Sequence, residues 1–162
     1  MKELMLYLWN ANHHYAHQLL EAIPEEKMAD QPAGLPNHPA WTIAHLSISG
    51  NYLLIPALGG KPLDLPGWDQ KYGYGSKPSN DRSLYPAKTE LLHVYDEVHR
   101  IVADGIQNSF DNIVGVVTPD EGMRSYFPTL DKMVAYMTSI HEANHLGQLS
   151  DWRRAMGMKS VL

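Results

Sequence analysis

The chain has no cysteine. That absence excludes disulfides, thiolate metal ligands and a cysteine nucleophile, and it fits a reducing compartment; thiol chemistry would need a thiol supplied from outside. No apolar run approaches the roughly 20 residues a helix needs to cross a bilayer, so no membrane is expected as a partner. The opening stretch MKELMLYLWNANHHYAHQLLEAI is apolar in part, but it carries Glu3 and three histidines and has no small-residue cleavage site. It reads as a first helix rather than an export signal, and a cytoplasmic location is expected. Basic residues are scattered apart from the Arg153-Arg154 pair, and the formal charge is -5. No stripe exists to neutralise a phosphate backbone, so nucleic acid is not expected as a partner.

The 162 residues, 44% apolar and 19% charged, suffice for one domain with a real core and are too few for two. A single domain over 1–162 is expected. Residues 2 to 22 place Leu4, Leu8, Ala11, Tyr15 and Leu19 at helical spacing, and Pro24 closes the segment. After the turn-forming run PAGLPNHP, a second helix begins near Pro39. It sets Trp41, His45, Ile48, Tyr52 and Ile55 along one stripe until Pro56 and Gly59-Gly60 stop it.

A third helix runs from about Pro86 to Asn108 with Leu91, Val94, Tyr95, Val98, Val102 and Ile106 inward. Pro128 opens a fourth, with Thr129 and Asp131 in its first turn, that reaches about Met156 and ends at Gly157. Two irregular stretches intervene, GGKPLDLPGWDQKYGYGSKPSNDR and SFDNIVGVVTPDEGMRSYF. The first holds Trp68, Tyr72 and Tyr74, which suit a lid over a substrate; the second has enough apolar content for one short strand. The expected fold is all-α, a four-helix bundle with long irregular loops between helices two and three and between three and four.

The stretch HEANH, His141 to His145, spells the H-E-x-x-H signature of zinc peptidases. The rest of that signature is missing. Its extended form needs Gly at 148 and His at 151, where the chain has Gln148 and Asp151; no Glu follows Glu142, and no sheet is available to orient a peptide. Proteolysis is not expected.

Without the peptidase reading the histidines still need an account. The inner stripe of the fourth helix is Leu130, Val134, Met137, His141, His145, Gln148 and Trp152. Imidazoles four residues apart can clamp one ion. His45 supplies a third inward imidazole from helix two. Three neutral rings in one core each bring a donor and an acceptor that must be satisfied. A shared cation satisfies one nitrogen of all three at once, and a polar core network satisfies them by hydrogen bonds; spacing alone leaves both open.

His13 and His17, one turn apart, fall opposite the Leu4, Leu8, Ala11, Tyr15 stripe, where a solvated face or a subunit contact is expected. His14 and His99 sit at stripe margins, His93 points outward, and His38 precedes Pro39 in a loop. None of these is assigned to the site. Trp41 and Tyr52 are read as core.

The pieces NHPAWTIAHLSISGNYLL, GW…YGYGS and FPTLDKMVAYMTSIHEANHLGQLSDWRRAMG together resemble the DinB-like (DinB/YfiT) superfamily of metal-binding four-helix proteins. The resemblance implies a divalent metal ion, zinc, nickel or iron, held by His45, His141 and His145 with open positions for water or a ligand. It also implies low-molecular-weight thiols as cosubstrates in transferase or isomerase reactions. The expectation is a metal-dependent enzyme acting on a small-molecule substrate, a thiol transferase or a hydrolase. A non-catalytic metal-binding module for stress response or binding is the alternative.

Two further residues are catalytic candidates. Gln148 suits orienting a ligand or donating to an imidazole, and an ordinary helix-to-helix amide contact fits it equally. Glu142 suits a general base at the site margin or a solvated carboxylate. A homodimer is expected, through the His13/His17 face or exposed aromatics.

Overall fold

The computed structural model describes residues 1–32 and 34–161. Position 33 of the turn-forming run and the last residue of the expected 1–162 domain lie outside the described residues. Four long helical segments carry the fold. These are α1 (Lys2–Glu21), α2 (Pro39–Ser49), α4 (Lys88–Ile113) and a final segment of α5 (Leu130–Tyr136) and α6 (Glu142–Ala155). A short α3 (Trp68–Tyr72) sits in the first long connection. The fold is all-α: among the described residues the only β pairing is an isolated bridge between Val117 and Thr129, which is all that forms where a short strand was conceivable.

Two helices contain π turns. Gly50–Leu54 carries α2 into a last α turn, Ile55–Ala57, and Met137–His141 joins α5 to α6. The first lies where Pro56 withholds an N–H from the ladder, and the wider turn lets the helix run past the proline that was expected to stop it. The stop comes at Gly59, whose φ of +78 is the left-handed cap that a glycine adopts without strain. The third long helix overruns its expected end at Asn108. Phe110 and Ile113 continue its buried stripe, and no breaker intervenes before Gly115.

The phase of α1 corrects the sequence reading. Its buried residues are Met5, Trp9, Ala16, Leu19 and Leu20, whereas Leu4 is 62% exposed and Leu8 39%. Both sets have helical spacing and differ by one residue, about 100° of rotation. The shift turns His13 and His17 inward. Tyr52 is likewise exposed rather than core, while Trp41 is buried as expected.

α1 packs on α4 and α6, and α2 packs on the same two helices; this ring is compatible with the expected four-helix bundle. Two apolar clusters fill it. One joins Leu19, Leu20, Ile43, Leu91, Leu146, Leu149 and Trp152. The other joins Met5, Trp9, Leu54, Val102, Ile106, Val134 and Met137. Each long helical segment contributes to both clusters; Glu142 falls between them, after Met137 and before Leu146, whereas His45 lies among first-cluster residues and His99 among second-cluster residues.

The order in which each helix visits the clusters gives its direction. α1 and the α5–α6 segment start in the second cluster and end in the first, and α2 and α4 run the other way. Neighbours α2 and α4 are therefore parallel, and residues 58–87 must travel back along the bundle. α3 packs on α2 along this return path. No described helix is long and apolar enough to cross a membrane.

A candidate metal centre between α2 and α6

α2 presents His45 and the π turn with α6 presents His141 and His145, so three imidazoles from two helices meet. One nitrogen from each lies within 4.8 Å of the others. His45 Nε2 and His141 Nε2 are 3.3 Å apart, and the ring centroids of His45 and His141 lie 4.7 and 4.8 Å from that of His145.

His45 is held on two sides. Its Nδ1 donates to the Tyr72 carbonyl at 2.7 Å, which fixes the tautomer and leaves the Nε2 lone pair facing His141. The Trp41 indole stacks on the ring at 4.6 Å and 7°, and its Nε1 donates to Ser76 Oγ at 3.0 Å. The long connection thus forms a wall of the centre through the Tyr72 backbone and Ser76.

That wall is pinned. Tyr72 Oη donates to the Leu84 carbonyl, Tyr85 Oη accepts from Ser79 N, and the Tyr72 ring is buried against Tyr85. His38 stands in the loop before Pro39, as expected, without being a surface residue. It is fully buried, caps α2 by accepting from Trp41 N, and has its Nε2 2.9 Å from the Ser79 carbonyl. Of the three aromatics suited to covering a substrate, Trp68 is half-buried, Tyr72 is buried in the core and Tyr74 is fully exposed.

The donor set fits a divalent ion. Two metal–nitrogen bonds of about 2.0 to 2.1 Å at a tetrahedral angle place their nitrogens about 3.3 to 3.4 Å apart, the separation found between His45 and His141. His145 Nδ1 is buried without a hydrogen-bond partner. Burial lowers the pKa of all three rings. His141 falls to about 3, helped by His145 and His45, and His145 to about 4, helped by His45, with the Gln148 amide acting in the other direction. His45 is lowered by burial against the opposing effect of its hydrogen bond to the Tyr72 carbonyl. The neutral imidazole is the form that ligates. His45 is buried and the other two are half-buried, so one side of the centre faces solvent.

Gln148 lies on the same stripe as His145 and is half-buried, with its Oε1 accepting from Asn37 Nδ2 at 2.7 Å. Glu142 is 1% exposed, which overturns the solvated-carboxylate reading. Its Oε1 accepts from Tyr95 Oη at 2.7 Å and lies 2.6 Å from His99 Nε2. Burial pushes the carboxyl up to about 8 and holds His99 down to about 3. A narrow cavity lined by Trp9, Gly50, Leu54 and Met137 reaches both His141 and Glu142.

His99 and Tyr95, which the sequence reading leaves outside the site, are the contacts of the Glu142 carboxyl. His13 and His17 face a partner as well as solvent: both place Nε2 2.7 Å from Asp96 Oδ1 and are half-buried. A rival α1 stripe through Met5, Trp9 and Ala16 was the signal that could have exposed them.

Comparison with known families adds one finding. A family model described as the DinB superfamily matches residues 8–149, a span that includes all three histidines of the centre and both long connections. No curated protein matches the chain.

Proposed function

The chain belongs to the DinB superfamily, and from that premise we propose that it is a metal-dependent enzyme whose ion is held by His45, His141 and His145. The observation that carries this is the convergence of three neutral imidazoles, from helices nearly a hundred residues apart, beside a solvent-facing opening. The ion when bound would supply Lewis acidity, lowering the pKa of a thiol or of water and polarising a carbonyl.

The chain's own residues prepare that chemistry. The Tyr72 carbonyl and the Trp41 ring hold His45 in one tautomer and one plane, which is how orienting partners tune a ligand. Gln148, beside His145, is a positioning residue braced by Asn37. Glu142 acts at one remove: its contacts with Tyr95 and His99 tie the first turn of α6 to α4, and so set the direction of His141. A small electrophile enters from the half-exposed side of His141 and His145. With no cysteine in the chain, the sulfur of a thiol transfer comes from a low-molecular-weight cosubstrate; a hydrolase would draw on water instead.

Elemental analysis of untagged protein, followed by electrophile turnover with and without added thiol, tests the proposal. Stoichiometric metal with thiol-dependent turnover is the expected result. Metal with no thiol binding and no turnover would leave a non-catalytic module, and protein purified without metal and unable to take it up would remove the centre.

A further inference from the structure

We propose that His13, His17 and Asp96 form a second divalent-metal site, on the seam between α1 and α4, that takes a first-row transition ion through two imidazoles and one carboxylate. It rests on none of the three histidines of the first centre.

α1 presents His13 and His17 one turn apart, and α4 presents Asp96 across the seam. The two Nε2 atoms approach the same carboxylate oxygen, each at 2.7 Å. One ligand atom from each of the three residues lies within 4.8 Å of the other two. Adjacent ligands on a six-coordinate ion with bonds of about 2.1 Å stand roughly 3 Å apart, so small adjustments admit an ion among these groups. The imidazole planes meet at 73° with centroids 4.8 Å apart; they converge edge to face and do not stack parallel.

The buried layer beneath fixes this arrangement. His13 stacks on Tyr95 at 5.6 Å and 25°, and its centroid is 4.7 Å from that of His99. Those two neighbours are held in turn by Glu142. The outer side is open: the side chains of His13, His17 and Asp96 keep 34%, 39% and 44% of their exposure, which leaves room for water or an exogenous ligand. At that exposure Asp96 is solvated without help. Two imidazoles trained on one of its oxygens exceed what a surface carboxylate needs.

The ligand chemistry narrows the ion. Magnesium and calcium prefer oxygen throughout. Two imidazoles with one carboxylate and open positions suit iron, cobalt, nickel or zinc in the divalent state.

The test titrates chelator-stripped, full-length protein with Co²⁺ and with Zn²⁺, reading visible absorption for the first and equilibrium dialysis for both. The wild type should take up two equivalents. His13→Ala/His17→Ala should take up one, and Asp96→Asn, which nearly preserves shape, should weaken that same equivalent at least tenfold with helical circular dichroism unchanged. His141→Ala/His145→Ala should keep the α1–α4 equivalent. Loss of metal only in the His13/His17 variant would support this site and remove the first. Wild type binding a single equivalent that His13→Ala/His17→Ala retains in full, and Asp96→Asn retains unweakened, would overturn the proposal while leaving the first centre standing.

Discussion

Glu142 and His99 face each other across the bundle core with Oε1 and Nε2 2.6 Å apart, each at most 5% exposed at the side chain. Adjacency in sequence places Glu142 next to His141, yet its carboxylate is directed at α4. The chain therefore keeps this acid as an internal brace, and its replacement should be read first in stability.

Glu142→Ala would strand the Tyr95 hydroxyl and His99 Nε2 without a partner and open a cavity. The expected loss is about 3 kcal/mol or more. Glu142→Gln retains an acceptor for both groups and should cost about 1 kcal/mol. Urea unfolding of the two variants checks this; equal losses would show that the contact with α4 does not carry the effect.

His45→Ala and His145→Ala should lower metal occupancy alike, although about a hundred residues separate the two positions. Removal of a ligand should exceed the roughly 10- to 100-fold penalty that loss of an orienting partner carries. Elemental analysis after dialysis against a weak chelator is the measurement, and full occupancy in the His45 variant would reject a shared centre.

Gly50 lets α2 approach α4 closely. A Cβ there would lie 2.5 Å from Val98 Cγ1. Gly50→Ala should cost about 1 to 3 kcal/mol, overpacking outweighing its better helix propensity. The paired variant Gly50→Ala/Val98→Ala should recover part of the loss in thermal unfolding; no recovery would place the strain elsewhere.

His38 is buried and its pKa is lowered, by desolvation foremost. A depressed folded-state pKa means that its contribution is complete above the unfolded value of 6.5. It is lost as pH falls from there through the folded value, because the unfolded chain takes up a proton that the folded one refuses. Between pH 7.5 and 5.5 the wild type should lose more stability than His38→Asn, by up to about 1.4 kcal/mol per pH unit below 6.5. The comparison isolates this ring from the other histidines and from Glu142, whose raised pKa acts with the opposite sign. Parallel pH profiles for the two proteins would show that His38 is not the source.

Long, strongly periodic segments were legible in the sequence. The inner stripe of α4, from Leu91 to Ile106, lies where spacing put it, and His45 is buried as its stripe requires. On α6 the buried face is Glu142, Leu146, Leu149, Trp152 and Arg153, so of the expected stripe Trp152 is buried while His141, His145 and Gln148 are half-buried at its margin. α1 was ambiguous for a physical reason: Leu4, Tyr7 and Leu8 make its outer face apolar as well, so two stripes competed and only packing against α4 decides between them. Glu142 could not be placed from one helical wheel, because its position depends on Tyr95 and His99 from another helix. The wall made by Tyr72 was illegible too, since a backbone carbonyl carries no mark in the sequence.

The return of residues 58–87 along the bundle also bears on the order of assembly. His45 sits on α2, but the carbonyl that orients it is 27 residues downstream, on the stretch that connects α2 to α4. Helices that had formed without this strap would leave the His45 ring untethered. An ion at the proposed centre would thus meet an oriented His45 only when the connecting chain has settled into its track.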